Sequence, residues 1–245
     1  MKLNMKWALI TGASGGIGKS LVNKLADDNW NLYLQGFNHM NIIYKLIKML
    51  NEKYPKQEFI PIKANLLSDF DIKKMLNNIF QVDAFIHAAG ITYYSLLTDQ
   101  NSDEWDNLWK IHIKAPLIIC KNIQKKLSRS HNGRIILLGS VYGKIGSAME
   151  VVYSTVKGAQ SSFVNAYSKE IISLGITINS IAPGAVDTDM NNFFSKRELQ
   201  RLKNQIPISR MADPNEITYW IECILSEKSK YLTGQTIYVD GGWLY

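Results

Sequence analysis

Apolar runs and segments of helical period alternate along the whole chain. The first run, Lys6 to Thr11 (KWALIT), is continuous rather than alternating, the pattern of a strand covered on both faces. Gly18 to Asp28 then repeats at helical spacing. The exchange continues with strands expected at Trp30 to Leu34, Glu58 to Lys63, Ala84 to His87, Arg134 to Leu138, Thr177 to Ile181 and Thr236 to Val239. Helices are expected at Asn41 to Lys53, Ser102 to Leu127, Ser154 to Leu174 and 215–226. The pattern over Ser102 to Leu127 is one long helix, with Trp105, Leu108, Trp109 and Ile111 clustered on a face. Continuous strands separated by helices predict a parallel sheet with helices on both faces, because each βαβ crossover is right-handed. The fold class is therefore a doubly wound α/β sheet, one unit over 1–245, with no linker, repeat or low-complexity stretch. The least regular segment is 184–210. It opens at Pro183-Gly184, carries Phe193-Phe194, and reads equally as a surface excursion and as a lid over a site.

Composition narrows the class. The 245 residues are 46% hydrophobic and 20% charged, enough apolar surface to offset chain entropy, which excludes disorder. Two cysteines, Cys120 and Cys223, form no CxxC and accompany no His cluster, so neither a disulfide framework nor a metal site is expected. The net charge of +7 is spread out, with no block of basic residues, so nucleic acid is not an expected partner. Met1 to Asn4 leads straight into the first strand without the apolar region of a signal peptide, and no apolar run is long enough for a membrane span. The expected location is cytoplasmic.

The densest chemical signal is Thr11-Gly12-Ala13-Ser14-Gly15-Gly16-Ile17-Gly18-Lys19-Ser20, at the first strand–helix junction. Glycines there let the backbone turn sharply and approach a pyrophosphate, while the helix N-terminus offers free N–H groups. Three spacings overlap in it: a dinucleotide-binding variant through Gly12, Gly16 and Gly18, a loose P-loop ending Gly18-Lys19-Ser20, and a GxSxG elbow. The elbow lacks a late histidine, His131 being the last. The P-loop lacks a strand-ending Asp, since Asp83 precedes its strand and Asp240 reads as a turn residue. The loop by itself leaves nucleotide and dinucleotide open.

Tyr153 and Lys157 stand four apart at the start of a helix and share a face. Ser140 follows the RIILLG strand, at a strand C-terminus, where ligands sit in this architecture. An ammonium near a phenol favours the phenolate, and a serine hydroxyl can donate to a carbonyl oxygen that gains charge. With these residues in view, the chain resembles the short-chain dehydrogenase/reductase family from end to end. Thr11-Gly12-x-x-x-Gly16-x-Gly18 is similar to its cofactor loop. His87-Ala88-Ala89-Gly90 is similar to its Asn-Asn-Ala-Gly segment, with His and Ala in place of the two Asn. Ser140, Tyr153 and Lys157 match its catalytic residues at the family's spacing. Pro183-Gly184 followed by Thr188 resembles its Pro-Gly turn, and Tyr231 to Gly242 resembles the C-terminal segment of its 3-oxoacyl-(acyl-carrier-protein) reductase branch.

The resemblance implies a single Rossmann-type domain and reduction of a ketone, a 3-oxoacyl thioester or similar, to a secondary alcohol by hydride transfer. Tyr153 would be the general acid/base, Lys157 would hold the nicotinamide ribose and depress the Tyr153 pKa, and Ser140 would orient the carbonyl. Cofactor contacts are implied for Gly12, Ser14, Gly16, Ile17, Gly18, Asn38, Asn65, Leu66, Ala89, Gly90, Tyr153, Lys157, Pro183, Gly184, Val186 and Thr188. Gly36 stands where members preferring NAD carry an Asp, so nothing repels a 2′-phosphate, and NADP(H) is expected over NAD(H). His112 replaces the family's Asn that holds a proton-relay water. It is the fourth implied catalytic position, brings an expected pH dependence around the imidazole pKa, and keeps open a catalytically impaired cofactor-binding or scaffold member. An acyl carrier protein is a candidate partner, docked by Lys125, Lys126, Arg129 and Lys169. Leu174, where that branch often has a docking Arg, leaves a small-ketone or sugar dehydrogenase open. A homotetramer or homodimer is implied, with Trp105 and Trp109 either at its contacts or in the core, and Phe193 and Phe194 would line the lid.

Overall fold

The computed structural model describes residues 5–130, 132–191 and 194–244. The strands are β1 (Trp7–Thr11), β2 (Asn31–Gly36), β3 (Phe59–Lys63), β4 (Ala84–His87), β5 (Gly133–Leu138), β6 (Ile176–Pro183) and β7 (Thr236–Val239). They form one seven-stranded sheet in the order β3-β2-β1-β4-β5-β6-β7, and every pairing is parallel. Side chains alternate between its faces, as the pleat demands. From β1, Ala8 and Ile10 join one core with Leu21, Ile43 and Ile217, under helices α1 (Gly16–Asp27), α2 (Met40–Lys53) and α9 (Pro214–Leu225). Trp7 and Leu9 join the other, with Ile72, Ile119 and Val164, under α3 (Asp69–Asn77), α5 (Ala115–Arg129) and α7 (Val151–Ile171). Both faces are covered, so the continuous apolar strands of the sequence are explained. No helix among the described residues is long and apolar enough to cross a membrane.

The structure revises the helical reading in four places. The pattern over Ser102 to Leu127 is not one regular helix. It is α4 (Ser102–Trp109), a π-helical turn at Lys110–Lys114, and α5. Its expected apolar face also divides: Leu108 is buried, whereas Trp105 and Trp109 are exposed and are not core. Three further elements escaped the pattern, the first of them the single-turn α6 (Tyr142–Ile145). Helix α3 is short, and Ser68 fixes its start by accepting from the Asp71 N–H. Helix α8 (Lys196–Gln205), inside the irregular 184–210 segment, buries none of its residues and is set by a Ser195/Glu198 capping box.

Strand β1 lies between β2 and β4, so the winding reverses at its C-terminal end. That reversal opens a crevice above the strand ends.

Candidate active site

The crevice is floored by the turn after β1. Gly12 has φ +70°, and a Cβ there would lie 2.6 Å from the Ala89 Cα. Gly16 is pressed equally close, its Cβ position 2.5 Å from the Thr188 Cγ2. The turn is fixed from below by Gln35 of β2. Its Oε1 accepts from the Gly12 N–H at 3.0 Å, its Nε2 donates to the Ala64 carbonyl at 2.8 Å, and its own carbonyl takes the Ala13 N–H. Helix α1 then begins at Gly15 with no side-chain cap, whereas α3, α4, α8 and α9 each have one. The first-turn N–H groups of α1 are left for an anion, as a pyrophosphate requires.

An open cleft rises from this floor. Ile17 enters it from α1, Ala89 and Gly90 from the end of β4, and Ser140 from the end of β5. Tyr153 and Lys157 come from α7, His112 from the π-turn, and Pro183, Gly184, Val186 and Thr188 from the segment after β6. The residues matched to distant motifs thus meet in one place. Gly12, Ser14, Gly16 and Gly18 do not themselves line the cleft and lie beside Ile17 in the turn and first helical residues after β1. Asn38 is exposed beyond β2. Asn65 is occupied in the turn into α3, its Oδ1 accepting from the Leu67 N–H and its N–H donating to Asp71. Leu66 is in the core, so only its backbone could meet a ligand.

Burial dominates the electrostatics. Lys157 is 5% exposed, its Nζ donates to the Leu138 carbonyl at 2.6 Å, and desolvation pushes its pKa down to about 7. The Tyr153 phenol is held well above its usual range by burial and by the Glu150 carboxylate, with Ser140 pulling the other way. The expectation that Lys157 depresses the Tyr153 pKa is therefore not met here. Lys157 lies 5.5 Å from the Tyr153 ring centroid, with its ammonium turned to a backbone carbonyl. Tyr153 is a neutral phenol, ready to give a proton.

His112 is corrected more sharply. It is 1% exposed, and desolvation and Lys157 hold its pKa well below 6.5, so the pH dependence expected from it around neutrality falls away. Its neutral ring donates from Nε2 to the Ile91 carbonyl at 2.8 Å and packs edge-on to Tyr153 with centroids 5.5 Å apart. Its Nδ1 is left as a buried acceptor without a protein partner. The π-turn delivers the ring there, since an extra residue per turn re-aims the helix locally.

His87 is likewise neutral, its pKa pushed down to about 3 chiefly by burial. A neutral ring in that place donates from Nε2 to the Ile111 carbonyl at 3.0 Å and accepts at Nδ1 from the Thr11 hydroxyl at 2.9 Å. It ties β1, β4 and the π-turn together. The folded pKa lies below the unfolded 6.5, so the unfolded chain binds the extra proton and stability falls as pH drops from 6.5 towards 3. Between about pH 7 and pH 5 this one group is expected to cost about 2 kcal/mol. Urea midpoints at the two values check it, and His87→Asn should show a smaller loss than the native chain.

The short chain dehydrogenase family model matches residues 6–199. The chain is 38% identical over 239 residues to the uncharacterized oxidoreductase YmfI of Bacillus subtilis, covering 97% of this chain and 98% of that one. It is 30% identical over 241 residues to the 3-oxoacyl-(acyl-carrier-protein) reductase FabG of Staphylococcus epidermidis, with the same coverage. Among solved structures, a blue fluorescent protein from a metagenomic library, in complex with NADPH, superposes with a TM-score of 0.92 at 25% identity, over 100% of both chains. The protein belongs to the short chain dehydrogenase family, and it is an oxidoreductase acting between a carbinol and a carbonyl.

Several cleft residues carried no sequence signal. Thr92, Tyr142, Glu150, Met190, Leu202 and Trp243 all line it. The 184–210 segment thus does wall the site, through Met190, Phe194 and Leu202, while Phe193 lies outside the described residues. Glu150 could have been noticed as a carboxylate one helical turn before Tyr153. Trp243 could not, because only the fold brings the chain end against the cleft.

Proposed function

We propose that this chain reduces a ketone to a secondary alcohol, with NADP(H) as cofactor and Tyr153 as general acid. The observation that carries the reading is the meeting of Ser140, Tyr153 and Lys157 in one cleft above an uncapped helix N-terminus. A nicotinamide dinucleotide bound there would supply the hydride. The protein's share is positional and electrostatic. Gly12, Ser14, Gly16, Ile17 and Gly18 would receive the pyrophosphate, Lys157 would exchange its bond to Leu138 for the ribose hydroxyls, and Ser140 would donate to the substrate oxygen. Tyr153 would protonate that oxygen as charge develops on it. Loss of NADPH absorbance with a panel of acetoacetyl thioesters, diketones and simple ketones tests the reading, and clear NADPH binding without turnover on any of them would overturn it.

The preference for NADP(H) has support at the end of β2. Lys63 of β3 pairs in register with Gly36, is exposed, and places its ammonium 5.9 Å from the Phe37 ring centroid. No acidic residue stands between Gly36 and His39. A cation beside that position suits a 2′-phosphate. Lys63→Ala is expected to raise the KM for NADPH about tenfold, near 1.4 kcal/mol, and to leave that for NADH unchanged. Initial-rate titrations with both cofactors check it.

For the substrate, the likeness to FabG supports a 3-oxoacyl thioester, with an acyl carrier protein as partner. Lys125, Arg129 and Lys169 are exposed and suit an acidic carrier, whereas Lys126 is engaged with the Leu76 and Ile79 carbonyls at the end of α3. The second reading, a small ketone, is favoured by Leu174 and by the carboxylate of Glu150 in the cleft. We propose in addition that the exposed Trp105 and Trp109 face mediates a homodimer or homotetramer.

A further inference from the structure

Hydride transfer gives no role to one charged group in the cleft. Glu150 stands immediately before α7, one turn ahead of Tyr153, and is 7% exposed on the cleft wall. The Thr92 hydroxyl donates to its Oε1 at 2.6 Å. No Lys, Arg or His pairs with it among the described residues. The cleft's one Lys is turned to Leu138, and its one His is neutral. A carboxylate so placed is costly unless a donor or a cation completes it.

Its sign is also wrong for helping the reaction. A negative charge here opposes a Tyr153 phenolate and raises the Tyr142 phenol as well. It would likewise oppose charge gathering on a substrate oxygen.

The walls supply the second observation. Tyr142 and Trp243 meet edge-to-face at 5.6 Å on the cleft, and Phe194 is backed by Tyr94 at 5.4 Å. Trp243 is held in place because the Asp240 carboxylate accepts from the N–H groups of Gly242 and Leu244. Aromatic rings around a single desolvated carboxylate form a receptor for an organic cation.

We propose that the substrate carries an ammonium group, which Glu150 and the Tyr142 and Trp243 rings hold while the neighbouring carbonyl faces Tyr153. This rests on the ketone-reductase reading and narrows it to an amino-ketone. The cation would neutralise Glu150 on binding and remove its opposition at Tyr153. A neutral ketone would leave that opposition in place.

Three probes of nearly equal shape separate the terms: aminoacetone, hydroxyacetone and butanone, which end in an ammonium, a hydroxyl and a methyl. Their affinity for the enzyme with NADP⁺ bound is read by ligand-observed NMR, independently of turnover. Aminoacetone is expected to bind at least about tenfold tighter than either of the others, a gap of about 1.4 kcal/mol. Equal binding of hydroxyacetone or butanone would overturn the proposal. Glu150→Gln, with folding verified by NADPH binding, should bring the three to within about twofold, and a folded variant that keeps the ranking would overturn the assignment to Glu150. Should that variant not fold, Glu150→Asp, which withdraws the charge by one methylene, should weaken aminoacetone alone, and an unchanged ranking would again count against Glu150. Turnover is followed in parallel with NADPH. An intact ranking with no turnover on any probe defeats the hydride-transfer reading and leaves the cation site standing.

Discussion

Tyr153→Phe is expected to lower kcat by about 10³-fold while NADPH binding stays within about twofold, because a general acid contributes roughly 10²–10⁴ and the ring itself is retained. The argument is specific to this cleft. Tyr153 is half-buried, its phenol is held protonated, and Lys157 is committed to the Leu138 carbonyl. The substitution also leaves the edge-on contact with His112 in place, so a fall in kcat cannot be assigned to a collapsed wall. Stopped-flow single turnovers and a fluorescence titration of NADPH make the two measurements. A rate within tenfold of the native enzyme would remove Tyr153 from the acid role.

Gly12→Ala is expected to destabilise the fold by about 3 kcal/mol and to abolish measurable cofactor binding. Two costs add at this residue. Its φ of +70° is strained for a residue with a Cβ, roughly 1–2 kcal/mol. The new methyl would also meet the Ala89 Cα and N at 2.6 Å and the Ala88 carbonyl carbon at 2.8 Å, all backbone, at an overpacking cost of about 1–3 kcal/mol. No rotamer change can relieve it. For a chain of this length about 3 kcal/mol lowers Tm by roughly 6–12 °C, which calorimetry reads directly. Gly15→Ala is the comparison, because its Cβ position has only the Gly12 carbonyl oxygen near it, at 3.4 Å.

Periodicity exposed the sheet because continuous strands such as KWALIT and RIILL have few other uses in a globular protein. The glycine loop stood out by its spacing at a strand–helix junction, and the Ser140–Tyr153–Lys157 set was legible only through its resemblance to the family's motifs. Sequence reading failed where identity and place are decoupled. His112 looks like a titrating relay in the sequence, yet burial makes it a neutral ring docked on Ile91. The π-turn hides inside an uninterrupted helical pattern, since one added residue barely perturbs the apolar spacing. Helix α8 hides for the opposite reason, having no buried face to create a pattern. Trp243 joins the site only through tertiary contact, across a separation that local spacing does not encode.

The reversal of winding at β1 also sets the order in which the site can come into being. Gly12 finds its wall only when Ala88 and Ala89 arrive with β4, after the entire stretch from Gly12 to Asp83 has been looped out and wound into β2 and β3. Closing so distant a contact is slow compared with forming α1 beside it. A chain still emerging during synthesis therefore presents a glycine turn with nothing to press against until β4, the fourth of the seven strands, has docked beside β1 and brought Ala88 and Ala89 with it.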